Sequence, residues 1–169
     1  MKEYKVIHKW FWIWDFEKEE DWLNGMAQSG WVLESVSFCK YRFAACEPGQ
    51  YTIRMEMHPY DKAYVDFMQE TGASYVGRMA QWVYFRRETA LGSFDLFSDL
   101  DSRIRHLSGI GRCLLLLGIA NLLIGLGNTI NPVLNIGWIN LLVATILMYG
   151  LGRIHGKKEG LEKERLLRE

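Results

Sequence analysis

From Cys113 to Gly152 the chain runs 40 residues without one Asp, Glu, Lys, Arg or His. A helix of that length in a water-soluble core normally keeps a polar face, and this block has none. Asn128-Thr129-Ile130-Asn131-Pro132 interrupts it with turn-forming residues. The two sides, 113–130 and 136–154, are each long enough as helices to span about 26 Å of a ~30 Å hydrocarbon core. Leu114-Leu115-Leu116-Leu117 and Leu141-Leu142-Val143 are the strongest inserting stretches. The reading is a two-helix transmembrane hairpin behind a folded domain. A buried helical hairpin in a soluble protein is the weaker alternative.

Basic residues set the expected orientation. Arg103, Arg105 and Arg112 precede the first segment, and Arg153, Lys157, Lys158, Lys163, Arg165 and Arg168 follow the second. The intervening loop carries none, so the positive-inside rule puts both termini in the cytoplasm of a multi-pass cell-membrane protein. Within the segments, Asn121 and Asn140 either seek each other or a partner helix, or satisfy themselves locally. Gly118 and Gly125 permit close helix approach. No ionisable residue lies in the span to form a proton relay.

Residues 1–90 read as a cytosolic α+β domain, 91–112 as an amphipathic connector helix, 113–154 as the hairpin and 155–169 as a charged tail. A strand over Tyr4–Trp14 leads into a helix capped by Asp15 and stopped by Gly30, with Phe16, Leu23, Met26 and Ala27 as its apolar stripe. Trp31–Phe38, Lys40–Cys46 and Tyr51–Met57 read as extended. Pro59 opens a second helix that Gly72 stops, with Tyr64, Phe67, Met68 and Thr71 facing inward. Ser74–Arg78 and Gln81–Arg87 close the domain as strands. We read the order as β-α-β-β-α-β, the split-βαβ or ferredoxin-like arrangement, with two helices on one face of an antiparallel sheet. A faint internal echo accompanies it. Helix, glycine and paired aromatic strands occur at Trp22–Phe43 and again at Tyr64–Phe85. Phe94–Leu107 then forms the connector, with Gly109 and Gly111 as a swivel before the hairpin.

Twenty Lys/Arg balance twenty Asp/Glu, which argues against nucleic acid as a partner. Three cysteines, one in the apolar block, make no disulfide framework. The four histidines fall in separate elements without metal-ligand spacing, and no phosphate loop or nucleophile elbow appears. These patterns point to no catalytic residue, no metal and no cofactor. Glu17, Glu19, Glu20 and Asp21 read as complements to a helix dipole. The feature with functional promise is Trp10-Phe11-Trp12-Ile13-Trp14. A regular strand there puts Trp10, Trp12 and Trp14 on one face, joined by Arg54, Glu56, Trp82 and Tyr84 as a ligand- or partner-binding surface. The competing reading is a central strand covered on both sides.

Several of these motifs also carry a family resemblance. Trp10-Phe11-Trp12-Ile13-Trp14-Asp15, Glu20-Asp21-Trp22-Leu23, Met26-Ala27 and Gly30-Trp31 are among them. So are Tyr41-Arg42-Phe43, Thr71-Gly72, the run Gln81–Arg87 and Phe94–Ser102. Together, over about residues 4–106, they resemble the bacterial family called domain of unknown function 2812. The resemblance implies a cytosolic domain followed by membrane helices and a regulatory setting beside PadR-type transcriptional regulators. It transfers no catalytic residue. The expectation is a membrane-anchored, non-enzymatic sensing or partner-binding module that meets the lipid bilayer and a membrane or regulatory protein, or a second copy of itself. The alternatives are a structural subunit of a larger membrane complex and an uncharacterised enzyme.

Overall fold

The computed structural model describes residues 3–97, 99–130 and 136–168 and divides into two compact units, Met1–Ser98 and Asp99–Glu169. In the first, β1 (Tyr4–His8), α1 (Phe16–Gln28), β2 (Trp31–Ser37) and β3 (Lys40–Ala45) are followed by β4 (Tyr51–Met57), α2 (Lys62–Glu70), β5 (Ser74–Met79) and β6 (Trp82–Glu88). The strands form two three-stranded antiparallel sheets, ordered β1-β3-β2 and β4-β6-β5. The unit is therefore β-α-β-β written twice, with six strands in two sheets rather than one split-βαβ sheet.

The repetition reaches the backbone irregularities. Gly30 (φ +84°) ends α1 and Gly72 (φ +86°) ends α2, 42 residues later. Only glycine takes this left-handed turn without a Cβ clash. Each following strand carries a bulge at the matching place, between Leu33 and Ser35 and between Tyr75 and Gly77. Both bulges follow their glycine at the same interval, so each repeat turns and kinks its second strand alike. At Gly77 a Cβ would lie 3.5 Å from Val36 Cγ1, so β5 passes close to β2.

The buried stripe of α1 is Phe16, Glu19, Leu23 and Ala27, and Met26 is only half-buried. On α2 the buried residues are Val65 and Met68, while Phe67 is exposed. Val65 and Met68 pack with Ala73, Val83, Phe85 and Phe94 in one cluster. Asp15 makes no capping bond but pairs with Lys18 at 2.9 Å. The second helix opens at Lys62, where Asp61 accepts from Ala63 N at 2.9 Å, rather than at Pro59.

Edge strand β4 is closed by side chains of α1 rather than by another strand. Asn24 Nδ2 donates to Ile53 O (3.0 Å), its Oδ1 accepts from Ile53 N (2.9 Å), and Glu20 Oε2 accepts from Met55 N (3.0 Å). Glu20 and Asn24 lie one helical turn apart, which lets both reach the same strand. An open edge invites pairing with another chain, and this one is masked. Asn24→Ala is expected to cost about 1–3 kcal/mol through the unpaired Ile53 groups, measured by denaturant unfolding.

Phe94 belongs to the first unit's core, and Arg87 fastens the exit by donating to the carbonyls of Leu91 (3.1 Å), Gly92 (3.3 Å) and Ser93 (2.9 Å). The helix expected from Phe94 begins only at Leu100, where Asp99 and Ser102 cap it reciprocally. It then continues unbroken as α3 (Leu100–Ile130), so Gly109 and Gly111 form no swivel. Helix α4 (Gly137–Arg168) returns beside it and absorbs the charged tail. Ile104, Leu107, Ile110, Leu114, Ala144 and Ile154 are buried in this second unit, and Arg165 pairs with Asp101 at 3.0 Å. Of the expected interruption, Asn128 and Thr129 are helical, whereas Asn131 and Pro132 lie outside the described residues.

Both helices are long and apolar enough to cross a membrane, and only 22% of the apolar window of each is buried inside the protein. Leu116, Leu123 and Leu142 are more than half exposed. Such a surface is costly in water and normal in lipid.

Candidate functional site: an aromatic ladder beside buried carboxylates

Strand β1 ends at His8 because its partner β3 begins at Lys40, and His8 and Lys40 are the last pair in register. With no further neighbour, residues 9–12 leave the sheet and a 3-10 turn follows over Ile13–Asp15. Lys9 N donates to Cys39 O (3.1 Å), holding this segment against the β2–β3 hairpin turn. The three tryptophans therefore do not share the face of a regular strand. They stack instead. Phe38 meets Trp10 edge-on (5.7 Å), Trp10 meets Trp12 edge-on (5.4 Å), and Trp12 lies parallel to Trp14 (4.9 Å, 6°). Exposure falls along this ladder from 75% at Phe38 through 53% and 43% at Trp10 and Trp12 to 4% at Trp14. Phe11 turns the other way, onto Trp22 and Tyr41, and Lys9 Nζ covers the Phe11 and Trp22 rings at 4.8 and 4.5 Å.

Of the seven residues expected to share one surface, only Trp10 and Trp12 are open. Trp82 is buried against Phe16 (5.4 Å) and Tyr84 is wholly enclosed. Arg54 is half-buried and pairs with Glu20 (3.2 Å), and Glu56 is buried and accepts from the Tyr64 hydroxyl. On the polar side of β4, α1 supplies the partner of Arg54 and α2 that of Glu56, while Thr52 meets Thr89 at the surface.

Those groups form three carboxylate nodes. Glu19 Oε1 accepts from Tyr41 (2.8 Å) and Tyr84 (2.7 Å), one phenol from each repeat. Burial raises the Glu19 carboxyl above its ordinary 4.5, and the two phenol bonds pull back only partly. Burial raises Glu20 as well, against the Met55 N–H and Arg54, and raises Glu56 against Tyr64 and His58. The Tyr84, Tyr41 and Tyr64 hydroxyls are all pushed far up, chiefly by burial, so they stay protonated donors. A dipole complement does not describe Glu19. It sits on the buried stripe of α1, three residues after Phe16 and four before Leu23, a spacing that marks an inward residue.

A cleft of about 220 Å³ is lined by Val32, Glu34, Ala44, Cys46, Tyr51 and Arg86, among others. Arg86 donates from it to Leu33 O (3.1 Å), and Cys46 carries a free thiol whose pKa burial raises. That thiol is a poor nucleophile. Among the described residues no group of three His, Cys, Asp or Glu could hold a metal ion.

In the second unit the expected helix-contact residues divide. Gly118 and Gly125 face α4 within the hairpin, where a Cβ would meet Met148 Cε at 2.5 Å and Leu141 Cδ2 at 2.8 Å respectively. Asn121 donates to Leu117 O (2.9 Å) in its own helix, and Asn140 is half-buried.

No curated protein and no solved structure gives a significant match to the chain. The family model described as "Protein of unknown function (DUF2812)" matches residues 15–119, which runs from the turn before α1 into the apolar part of α3. The chain belongs to that family.

Proposed function

We propose that this protein is a membrane-anchored, non-enzymatic module that binds a partner through its first unit. The observation that carries the reading is the pairing of an exposed, stacked aromatic ladder with two long apolar helices in one chain. Its buried ionisable groups support it too. Glu19, Glu20 and Glu56 are engaged by tyrosines, a backbone N–H and Arg54, which is the pattern of structural polar nodes rather than of groups held ready for substrate. The positive-inside rule favours both termini on the cytoplasmic side of the cell membrane. We extend the proposal to a regulatory role, with a binding event at the first unit passed along the chain to the second.

The full-length chain is expected to stay with membranes through an alkaline carbonate wash and to leave them only in detergent. Full-length material recovered as a monomer in plain buffer would end the anchored reading. In intact membranes, Trp10→Ala with Trp12→Ala is expected to remove the contacts the first unit makes through the ladder, read as lost crosslinks to lipid or protein, while carbonate resistance is kept. An unchanged interaction profile would take the ladder out of the binding role.

A further inference from the structure

The ladder has the chemistry of one partner in particular. From its geometry we infer that Phe38, Trp10 and Trp12 form a wedge that inserts into the interface of an anionic lipid bilayer. This identification rests on the anchored reading above. Exposure rises stepwise from buried Trp14 to Phe38 at the tip of the β2–β3 turn, so the apolar surface is a projection and not a flat patch. A projecting tip of indoles and one phenyl ring suits the headgroup boundary, where amphipathic aromatics are favoured.

Lys40 is exposed and follows Phe38 by two residues at the base of the same turn, whereas the Lys9 ammonium lies over Phe11 and Trp22 on the other side. An anionic headgroup complements the Lys40 ammonium. With α3 and α4 in lipid, unit one meets the same bilayer at the high effective concentration of a linked module, so a wedge of three rings suffices where free protein would need more.

A protein groove lined for aromatics is the competing occupant, and the test separates them. The full-length chain is reconstituted as Trp138→Phe, which removes the indole of α4. The vesicles are phosphatidylcholine–phosphatidylglycerol containing lipids brominated near the headgroup end of their chains. Tryptophan emission is expected to be quenched and shifted to the blue. Phe38→Asp, which leaves every remaining indole in place, is expected to abolish both effects, and Lys40→Glu to weaken them several-fold. Pure phosphatidylcholine is expected to give less quenching. Emission insensitive to bromine in vesicles that still float with the protein would overturn the wedge while leaving the anchor intact. The wedge would fall equally if quenching survived Phe38→Asp, or if the indoles were shielded by crosslinked protein. Protein that fails to float at all would overturn the anchor itself. Near-ultraviolet circular dichroism of Phe38→Asp, expected to match the parent, separates a lost wedge from a lost fold.

Discussion

Glu19→Ala is expected to lower the unfolding free energy of the first unit by about 3 kcal/mol, a sum of two unpaired buried phenols and the space the side chain vacates. The residue is 5% exposed and is the common acceptor for Tyr41 of β3 and Tyr84 of β6. Its loss therefore loosens the contact between repeats as well as the helix. Glu19→Gln keeps an acceptor oxygen and is expected to cost about 1 kcal/mol or less. The pH dependence runs opposite to ordinary acid unfolding. Because burial raises the folded pKa above 4.5, the unfolded chain releases this proton first as pH rises. The carboxyl's full contribution is present below 4.5 and is lost as pH climbs through the raised folded value. Glu20 and Glu56 shift in the same direction and add to the slope. Denaturant unfolding of the detergent-solubilised chain, followed by fluorescence, should show stability rising as pH falls from neutral toward 4.5. Glu19→Gln should flatten that slope. A stability that falls over this range in the parent would show that the carboxylates are ionised at no cost in the fold.

Gly125→Ile is expected to force α3 and α4 apart at a cost of about 1–3 kcal/mol. A Cβ there would lie 2.8 Å from Leu141 Cδ2, 2.9 Å from Leu141 Cγ and 3.1 Å from the Gly137 carbonyl oxygen. The last of these is backbone and cannot rotate aside. Gly127 supplies the control, since a Cβ at that position has nothing within 4 Å. The reporter is a disulfide between Gly118→Cys and Leu147→Cys, placed where the Cβ separation of 3.7 Å suits the bond. With Cys39, Cys46 and Cys113 changed to serine, oxidation should close it readily in the parent and with Gly127→Ala. Closure should be slow with Gly125→Ile. Equal rates in all three would show that the helices do not pack on this seam.

What the sequence discloses differs by region. The pair of long apolar helices is legible because 40 residues without a charge leave no polar stripe for water, so the absence of charge is itself the signal. The helix stops at Gly30 and Gly72 are legible because a left-handed residue is a local demand on one amino-acid type. The echo between the halves is visible through those stops, whereas the division into two sheets is not. Sheet order depends on which of six similar strands find one another, and β1 pairs with β3 rather than with its chain neighbour.

The aromatic run misleads for a related reason. Trp10–Trp14 has every local preference of a strand, but a strand needs a partner to pair with, and the β1–β3 ladder ends at His8 and Lys40. Glu20 and Asn24 show the same limit. No pattern near them announces that they serve a strand some thirty residues on, since only the fold brings Ile53 and Met55 to them.

The continuity of α3 has a mechanical corollary. A helix of 31 residues measures about 46 Å, and this one passes from its charged beginning into its uncharged remainder without a joint. Torque or axial thrust delivered near Asp101 would arrive at Thr129 as rigid rotation or piston travel, with only gentle bending to absorb it.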